Sequence, residues 1–116
     1  MDNLEKQFSA LKVLVVDDMD AIRNLVSSTL KELGVRTVLQ APNGSVAWSH
    51  IQGAPVDMIV CDWDMPQVSG LELLELVRNS EKYHHIPFLM LTGSTEKSKV
   101  MDAVVAGVSD FLSKPF

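Results

Sequence analysis

A single cysteine, Cys61, occurs in the 116 residues, so no disulfide can form within the chain and nothing indicates an oxidising compartment. Basic residues are outnumbered, since ten Lys and Arg stand against 15 Asp and Glu and the formal net charge is -5. This balance argues against a nucleic-acid or anionic-membrane surface, which needs clustered cations. The sequence also lacks an apolar run long enough for a spanning helix, and its N-terminus has no basic region followed by an apolar one. We therefore expect a cytoplasmic protein without nucleic-acid or membrane contact.

The chain instead has short apolar runs that alternate with amphipathic segments. Runs rich in β-branched residues are typical of buried parallel strands, and apolar residues at helical spacing indicate the helices between them. The alternation predicts one α/β domain, residues 1–116, with a doubly wound five-stranded parallel sheet. The predicted strands are residues 11–16, 35–40, the run 56–66 with Asp62 at its end, 86–91 and 108–113. The predicted helices are residues 19–33, 44–53, 70–79 and 96–106.

The first predicted helix carries apolar residues at a spacing that places them on one face. These residues are Ile22, Leu25, Val26, Leu30 and Leu33. Gly34 is placed to end that helix. Trp48 and Cys61 are interpreted as packing residues, since both lie among apolar neighbours. His84 and His85 are adjacent in a connection without a further ligand at suitable spacing, which makes a poor metal site.

Polar residues stand where four of the predicted strands end. Asp17 and Asp18 follow the first strand, Asp62 ends the third, Thr92 follows the fourth, and Lys114 follows the fifth. Because the carboxyl ends of parallel strands lie at one edge, where ligands of open α/β sheets bind, we expect these side chains to converge.

Several carboxylates in one crevice, those of Asp17, Asp18 and Asp62 with Asp64 as a fourth candidate, repel one another. Lys114 supplies one positive charge, which cannot balance three, so a divalent cation is expected. Ligation by carboxylates and water favours Mg²⁺, with Mn²⁺ as a substitute. A metal, a lysine, a hydroxyl and a carboxylate nucleophile are together the requirements of phosphoryl transfer.

Each of these residues alone has a simpler explanation. Asp17 or Asp18 could form a turn or a helix N-cap, Thr92 could cap the next helix, and Lys114 could be a solvated charge. Their joint position at one sheet edge favours the phosphoryl site. No phosphate-binding P-loop competes, because residues 93–98 lack its second glycine and its Gly-Lys-Ser/Thr ending.

Four segments resemble the receiver domains of two-component response regulators, and in particular the single-domain CheY-type chemotaxis regulators. They are Val-Val-Asp-Asp at 15–18, Asp-Trp-Asp-Met-Pro-Gln-Val-Ser-Gly-Leu-Glu-Leu-Leu at 62–74, Leu-Met-Leu-Thr-Gly at 89–93 and Phe-Leu-Ser-Lys-Pro-Phe at 111–116. The resemblance covers almost the whole chain. It implies the flavodoxin-like strand order 2-1-3-4-5, which is the order known for this family.

The resemblance also implies roles for the polar residues. Asp62 would accept a phosphoryl group from the phosphohistidine of a kinase. Asp17 and Asp18 would hold Mg²⁺ together with Asp62 and the backbone carbonyl of Asp64, and Lys114 would pair with the phosphoryl oxygens. The chain would then catalyse its own phosphorylation and dephosphorylation without being a conventional enzyme.

The switch of such a receiver would consist of Thr92, with the small Gly93 behind it, and the aromatic Phe111, which turns inward as Thr92 moves. Many relatives have tyrosine at this aromatic position, so Phe111 lacks an output contact through a phenolic oxygen. Asp64 and Ser94 occupy positions that tune hydrolysis of the phosphoaspartate in this family.

Family members continue past the Lys-Pro-Phe turn into a fifth helix, and this sequence ends before it. We therefore expect a receiver domain shortened before its final helix. The sheet would then expose an apolar strip, which an altered or swapped dimer could cover.

The expected partners are a histidine kinase or phosphotransfer protein and an effector, such as a flagellar motor component or a fused output domain. A receiver belonging to a larger regulator or hybrid kinase is an alternative, as is a receiver that only binds partners. Aspartate-nucleophile phosphatases of the haloacid dehalogenase type use cognate chemistry, but they place the acidic pair last in sequence and usually have a longer chain.

Overall fold

The computed structural model describes residues 9–92 and 97–113. Ser9 and Ala10 are helical and precede the first strand. In chain order the elements that follow are β1 Lys12–Val16, α1 Asp20–Glu32, β2 Thr37–Ala41, α2 Gly44–Gly53, β3 Met58–Asp62, α3 Gly70–Arg78, β4 Phe88–Thr92, α4 Lys97–Ala106 and β5 Asp110–Ser113.

The five strands form one parallel sheet in the order β2-β1-β3-β4-β5, which confirms the predicted doubly wound fold. The register sets which residues are neighbours at the carboxyl edge. Val16 of β1 is opposite Cys61 of β3, and Asp62 is opposite Leu91 of β4. Thr92 is opposite Ser113 of β5. The carboxyl edge therefore has three residues side by side: Asp17 after β1, Asp62 at the end of β3 and Thr92 at the end of β4.

The sheet separates two apolar clusters, because successive side chains of a strand point to opposite faces. The major core lies on the face covered by α2, α3 and α4, and includes Leu14, Ile51, Leu73, Val77, Phe88 and Met90. The minor core lies on the face covered by α1, and its buried members are Val13, Val15, Val26, Val35, Val60 and Leu91. Cys61 is buried in the major core. Trp48 packs against this core, with its ring edge-to-face with that of Tyr83. Cys61 and Trp48 are thus confirmed as packing residues.

The predicted buried face of α1 is wrong at two positions. Leu25 is 47% exposed and Leu33 is 57% exposed. The face that meets the sheet instead includes Val26 and Ser27, both buried. Ser27 tolerates burial because its hydroxyl donates to the Arg23 carbonyl at 2.7 Å. Helical spacing alone could not distinguish Leu25, at the edge of the apolar stripe, from the residues at its centre.

The second, third, fourth and fifth strands each begin two residues later than predicted. Before the second and the fifth, an apolar residue closes the preceding turn instead. Val35 and Val108 donate their N–H groups at 3.0 Å to the carbonyls of Leu30 and Ala103, five residues back. Gly34 and Gly107 precede them with φ values of 107° and 95°, so α1 and α4 both end in the glycine-dependent motif that follows many helices. The prediction that Gly34 ends α1 is confirmed.

An apolar groove of about 160 Å³ remains between α1 and the strands of the minor core face. Its lining consists of Val26, Thr29, Leu30, Met58, Val60, Leu89, Leu91 and Leu112.

Among the described residues, no helix is both long and apolar enough to cross a membrane.

Candidate functional site

Asp17, Asp18 and Asp62 meet at the carboxyl edge of the sheet. One carboxylate oxygen from each lies within 4.8 Å of the other two. Asp17 is fully buried and Asp62 is 5% exposed, while Asp18 faces solvent. The register explains the convergence, because Val16 and Cys61 are opposite each other and the acids follow directly after them. The structure therefore brings these three carboxylates together, as predicted.

Backbone and side-chain hydrogen bonds fix Asp17 at the corner between β1 and α1. Its N–H donates to the Ala41 carbonyl at 3.2 Å, so hydrogen bonding to β2 continues one residue past the end of β1. One of its carboxylate oxygens accepts the Met19 N–H at 2.9 Å, which closes a turn of the kind that aspartate favours. Asp17 therefore both forms the turn and belongs to the acidic cluster.

The connection from β3 to α3 holds Asp62. Just after it, the Trp63 N–H donates to the Leu91 carbonyl at 2.9 Å, and the Trp63 carbonyl accepts the Gly70 N–H at 3.0 Å. A Cβ atom built on Gly70 would stand 2.3 Å from the Asp62 carbonyl oxygen. Glycine is thus the residue that lets the start of α3 approach the end of β3 so closely. Ser69 caps this helix by accepting the Glu72 N–H at 3.2 Å.

Thr92 lies on β4, the neighbour of β3, and Phe111 lies on β5, which is next to β4. Thr92 ends β4 and is 5% exposed. Strand alternation places its side chain on the same face as Met90, which belongs to the major core. Phe111 is opposite Met90 in β5 and packs, partly buried, against the same core. The two residues assigned to the switch are therefore on one face of adjacent strands.

Three of the residues named from sequence, Lys114, Gly93 and Ser94, lie outside the described residues. Asp64 is described and exposed, two positions past Asp62. Its carboxylate is not a member of the three-acid cluster, which leaves its backbone carbonyl as the group that the family resemblance assigns to the metal.

Close carboxylates need a positive partner. Two charges separated by 4.8 Å, the limit for this cluster, repel by roughly 3 kcal/mol at an effective dielectric of about 20. A cation among the three oxygens converts this repulsion into attraction. Carboxylate oxygens are the donors that hard divalent cations take in proteins, so the residues fit such an ion. The cluster could hold a metal.

Sequence reasoning missed Arg23, a basic residue at this edge. Its Nη1 donates to the Asp17 carbonyl at 2.8 Å and its Nε to the Gln40 side chain at 3.0 Å. It also forms an ion pair with Asp20. The signal in the sequence was the Asp20-Ala-Ile-Arg23 spacing, which places opposite charges one helical turn apart shortly after the acidic pair.

Comparisons with known proteins agree with this fold and show the family. Residues 13–116 match the family model of the response regulator receiver domain. The chain is 37% identical over 107 residues to the chemotaxis protein CheY1 of Helicobacter pylori, with 91% of this chain and 86% of that protein covered. It is 39% identical to the CheY homolog of Campylobacter jejuni, with 91% and 82% covered.

Solved structures give the same result. Chemotaxis protein CheY4 of Vibrio cholerae superimposes with a TM-score of 0.86 at 39% identity, over 91% of this chain and 88% of that one. The receiver domain of the histidine kinase CKI1 from Arabidopsis thaliana, solved in complex with Mg²⁺ and BeF₃⁻, gives a TM-score of 0.81 at 28% identity, with 96% and 85% covered. The chain therefore belongs to the response regulator receiver family and is similar to its CheY chemotaxis members.

Proposed function

We propose that this chain is the phosphoacceptor of a two-component signalling system and that Asp62 carries the phosphoryl group. The observation that supports this most strongly is the position of Asp62. It is nearly buried at the end of a central strand, with two further carboxylates within 4.8 Å and Thr92 on the neighbouring strand. The donor would be the phosphohistidine of a histidine kinase or of a phosphotransfer protein.

In the proposed step, a carboxylate oxygen of Asp62 forms a bond to phosphorus as the bond from phosphorus to the donor imidazole nitrogen breaks. The electron pair of the broken bond stays on that nitrogen. Mg²⁺, held by Asp17, Asp18, Asp62 and the backbone carbonyl of Asp64, would neutralise phosphoryl charge when bound, and Mn²⁺ could replace it. Lys114 would neutralise a further phosphoryl oxygen. Later hydrolysis of the acyl phosphate restores the Asp62 carboxylate.

The response to phosphorylation would pass through Thr92 and Phe111. The Thr92 hydroxyl would donate a hydrogen bond to the phosphoryl group, and space left by its movement would admit the Phe111 ring. Their common sheet face supports this coupling, because Phe111 already packs beside Met90, two residues before Thr92. Ser94 and Asp64 would tune the lifetime of the phosphorylated state.

Chemotaxis or motility signalling is the output that the CheY relatives favour, with a flagellar motor component as one effector. The CKI1 relative is instead the receiver domain of a histidine kinase, so a receiver within a larger regulator or hybrid kinase is the second candidate. The family match favours both over a phosphatase of the haloacid dehalogenase type.

Phosphotransfer profiling tests the proposed function. Autophosphorylated histidine kinases of the source organism would be incubated with the wild-type chain and with Asp62→Asn. We expect rapid loss of label from one kinase to the wild type and none to the variant. Catalytic turnover of a small phosphomonoester, without stable labelling of the chain, would contradict the proposal.

Replacing Asp64 with Asn is expected to weaken Mg²⁺ binding by about threefold to fivefold. One exposed charge a few ångströms from a divalent ion contributes on the order of 1 kcal/mol in water. Isothermal titration with MgCl₂ measures the effect. Glu32→Gln, which removes an exposed charge at the far end of α1, serves as the matched control. Equal affinities of wild type and Asp64→Asn would contradict the prediction.

A further inference from the structure

Arg23 connects three separate parts of the chain at the acidic edge. Its side chain is only 14% exposed. Nη1 donates to the Asp17 carbonyl just past β1, Nε donates to Gln40 of β2, and Nη2 pairs with Asp20 at the start of α1. All three donor nitrogens of the planar guanidinium group are thus engaged at the same corner as the buried acid Asp17.

These bonds act on the backbone that carries two of the three acids. The Asp17 carbonyl is held by Arg23, its N–H by the Ala41 carbonyl at 3.2 Å, and its carboxylate by the Met19 N–H at 2.9 Å. Asp18 is the next residue of this corner, so a fixed Asp17 peptide also fixes the position of the Asp18 backbone. Mutual repulsion of the three carboxylates would otherwise favour a displacement of this turn away from Asp62.

The charge of Arg23 has a second effect of opposite sign. A cation near a metal site weakens metal binding, but Asp20 forms an ion pair with the guanidinium and its charge opposes that of Arg23. The geometric effect should therefore exceed the electrostatic one. Residues behind metal ligands typically change metal affinity by tenfold or more when they are removed, because they orient the ligands.

We propose that Arg23 is a positioning residue for the metal site, and that it holds the β1–α1 corner so that Asp17 and Asp18 remain within reach of a cation shared with Asp62. This role rests on the proposed function. Arg23 itself touches neither the metal nor the phosphoryl group, and it acts through the Asp17 backbone.

Mg²⁺ binding to the unphosphorylated protein tests the role. Trp63 is the neighbour of Asp62 and is 7% exposed, so its fluorescence can report occupation of the site. The sequence has two tryptophans, and a Trp48→Phe background leaves Trp63 as the sole reporter. In this background the titration compares unchanged Arg23 with Arg23→Gln, Arg23→Lys and Lys31→Gln, the last being an exposed cation on the same helix.

We expect Arg23→Gln to weaken Mg²⁺ binding by about tenfold and Lys31→Gln to leave it unchanged. Arg23→Lys should weaken it nearly as much, because a lysine keeps the charge but cannot form the same set of directed bonds. Gln40→Met removes one anchor of the guanidinium group without touching Asp17 and should cause a smaller loss in the same direction. Urea unfolding without Mg²⁺ verifies that each variant is folded before its affinity is measured.

Affinities of folded Arg23→Gln and Arg23→Lys equal to the unchanged protein would overturn the role, as would tighter binding by Arg23→Gln. If Arg23→Gln does not fold, Gln40→Met decides by the same criterion. Absence of any saturable Mg²⁺ response in the protein with Arg23 intact would instead overturn the proposed function and this role with it. The two failures are therefore distinguishable.

Discussion

Gly70→Ala is expected to lower the free energy of unfolding by about 3 kcal/mol, at the upper end of what overpacking usually costs. The added Cβ would stand 2.3 Å from the Asp62 carbonyl oxygen and 3.0 Å from both the Trp63 Cα and the Met90 sulfur. The sulfur can move, but the two backbone atoms belong to the last residue of β3 and to the residue directly after it. Either α3 shifts outward or the phosphoacceptor strand end is displaced.

Urea denaturation measures this effect, and Gly53→Ala is the matched control. A Cβ built on Gly53 meets no atom within 4 Å, and Gly53 ends α2, so alanine there should be neutral or stabilising by up to about 1 kcal/mol. Equal stabilities of the two variants would show that the close approach at Gly70 does not constrain the fold. Mg²⁺ binding by folded Gly70→Ala should also be weaker than in wild type.

Arg78→Ala is expected to cost about 3 kcal/mol or more of stability, since hydrogen bonds to charged groups contribute roughly 1.5 to 3 kcal/mol each and their partners would be left behind. Arg78 ends α3. Its Nε donates to the Gly107 carbonyl at 2.7 Å, and its Nη1 to the carbonyls of His84 and Ile86 at 2.9 and 2.6 Å. Burial lowers the pKa of Arg78.

The position of these partners connects Arg78 to the proposed switch. Gly107 and Ser109 lead into β5, and Ser109 exchanges two hydrogen bonds of 2.9 Å with the Phe88 backbone at the start of β4. Arg78 Nη2 lies 3.3 Å from the Ser109 hydroxyl. The amino ends of β4 and β5 are thus fixed to α3, while Thr92 and Phe111 lie further along those strands.

Thermal and urea unfolding of Arg78→Ala, Arg78→Lys and the exposed control Arg36→Ala would test this prediction. Arg78→Lys should recover only part of the loss, because an ammonium group cannot reach the same carbonyls with a planar fork. Arg36→Ala should change stability by less than about 0.5 kcal/mol. A loss at Arg78 no larger than that at Arg36 would contradict the assigned role.

Sequence alone predicted the features that depend on pattern. The apolar runs indicated five strands, parallel strands imply a common carboxyl edge, and Asp17, Asp18 and Asp62 were expected together there. The strand order came from the family resemblance, because periodicity does not specify which strands are neighbours. Both predictions are confirmed by the sheet and by the acidic cluster.

Features that depend on three-dimensional neighbours could not be predicted in this way. Val35 and Val108 are β-branched residues of the kind found in strands, yet their N–H groups form the hydrogen bonds that end α1 and α4. Gly70 resembles an ordinary residue of a helix start until the Asp62 carbonyl is placed against it. Arg78 resembles a surface charge in its helix, and its partners lie up to 31 residues away in sequence.

The loop after Asp62 gives a further example. Gln67 adopts a φ of 65°, in the left-handed region that non-glycine residues seldom occupy. Nothing in the side chain of glutamine predicts this conformation. It arises in the short connection between the fixed end of β3 and the start of α3, where the chain must turn within a few residues.

Phosphorylation by a small donor is the most direct test of the central claim, which is that Asp62 accepts a phosphoryl group with the help of a divalent cation. The wild-type chain and Asp62→Asn would be treated with acetyl phosphate in the presence of either Mg²⁺ or EDTA, and the intact mass and the peptide that carries the added group would then be determined. We predict one added phosphoryl group per wild-type chain, on the peptide containing Asp62 and only with Mg²⁺, and none on Asp62→Asn. Equal incorporation into Asp62→Asn, or incorporation into the wild type that EDTA leaves unchanged, would contradict the account.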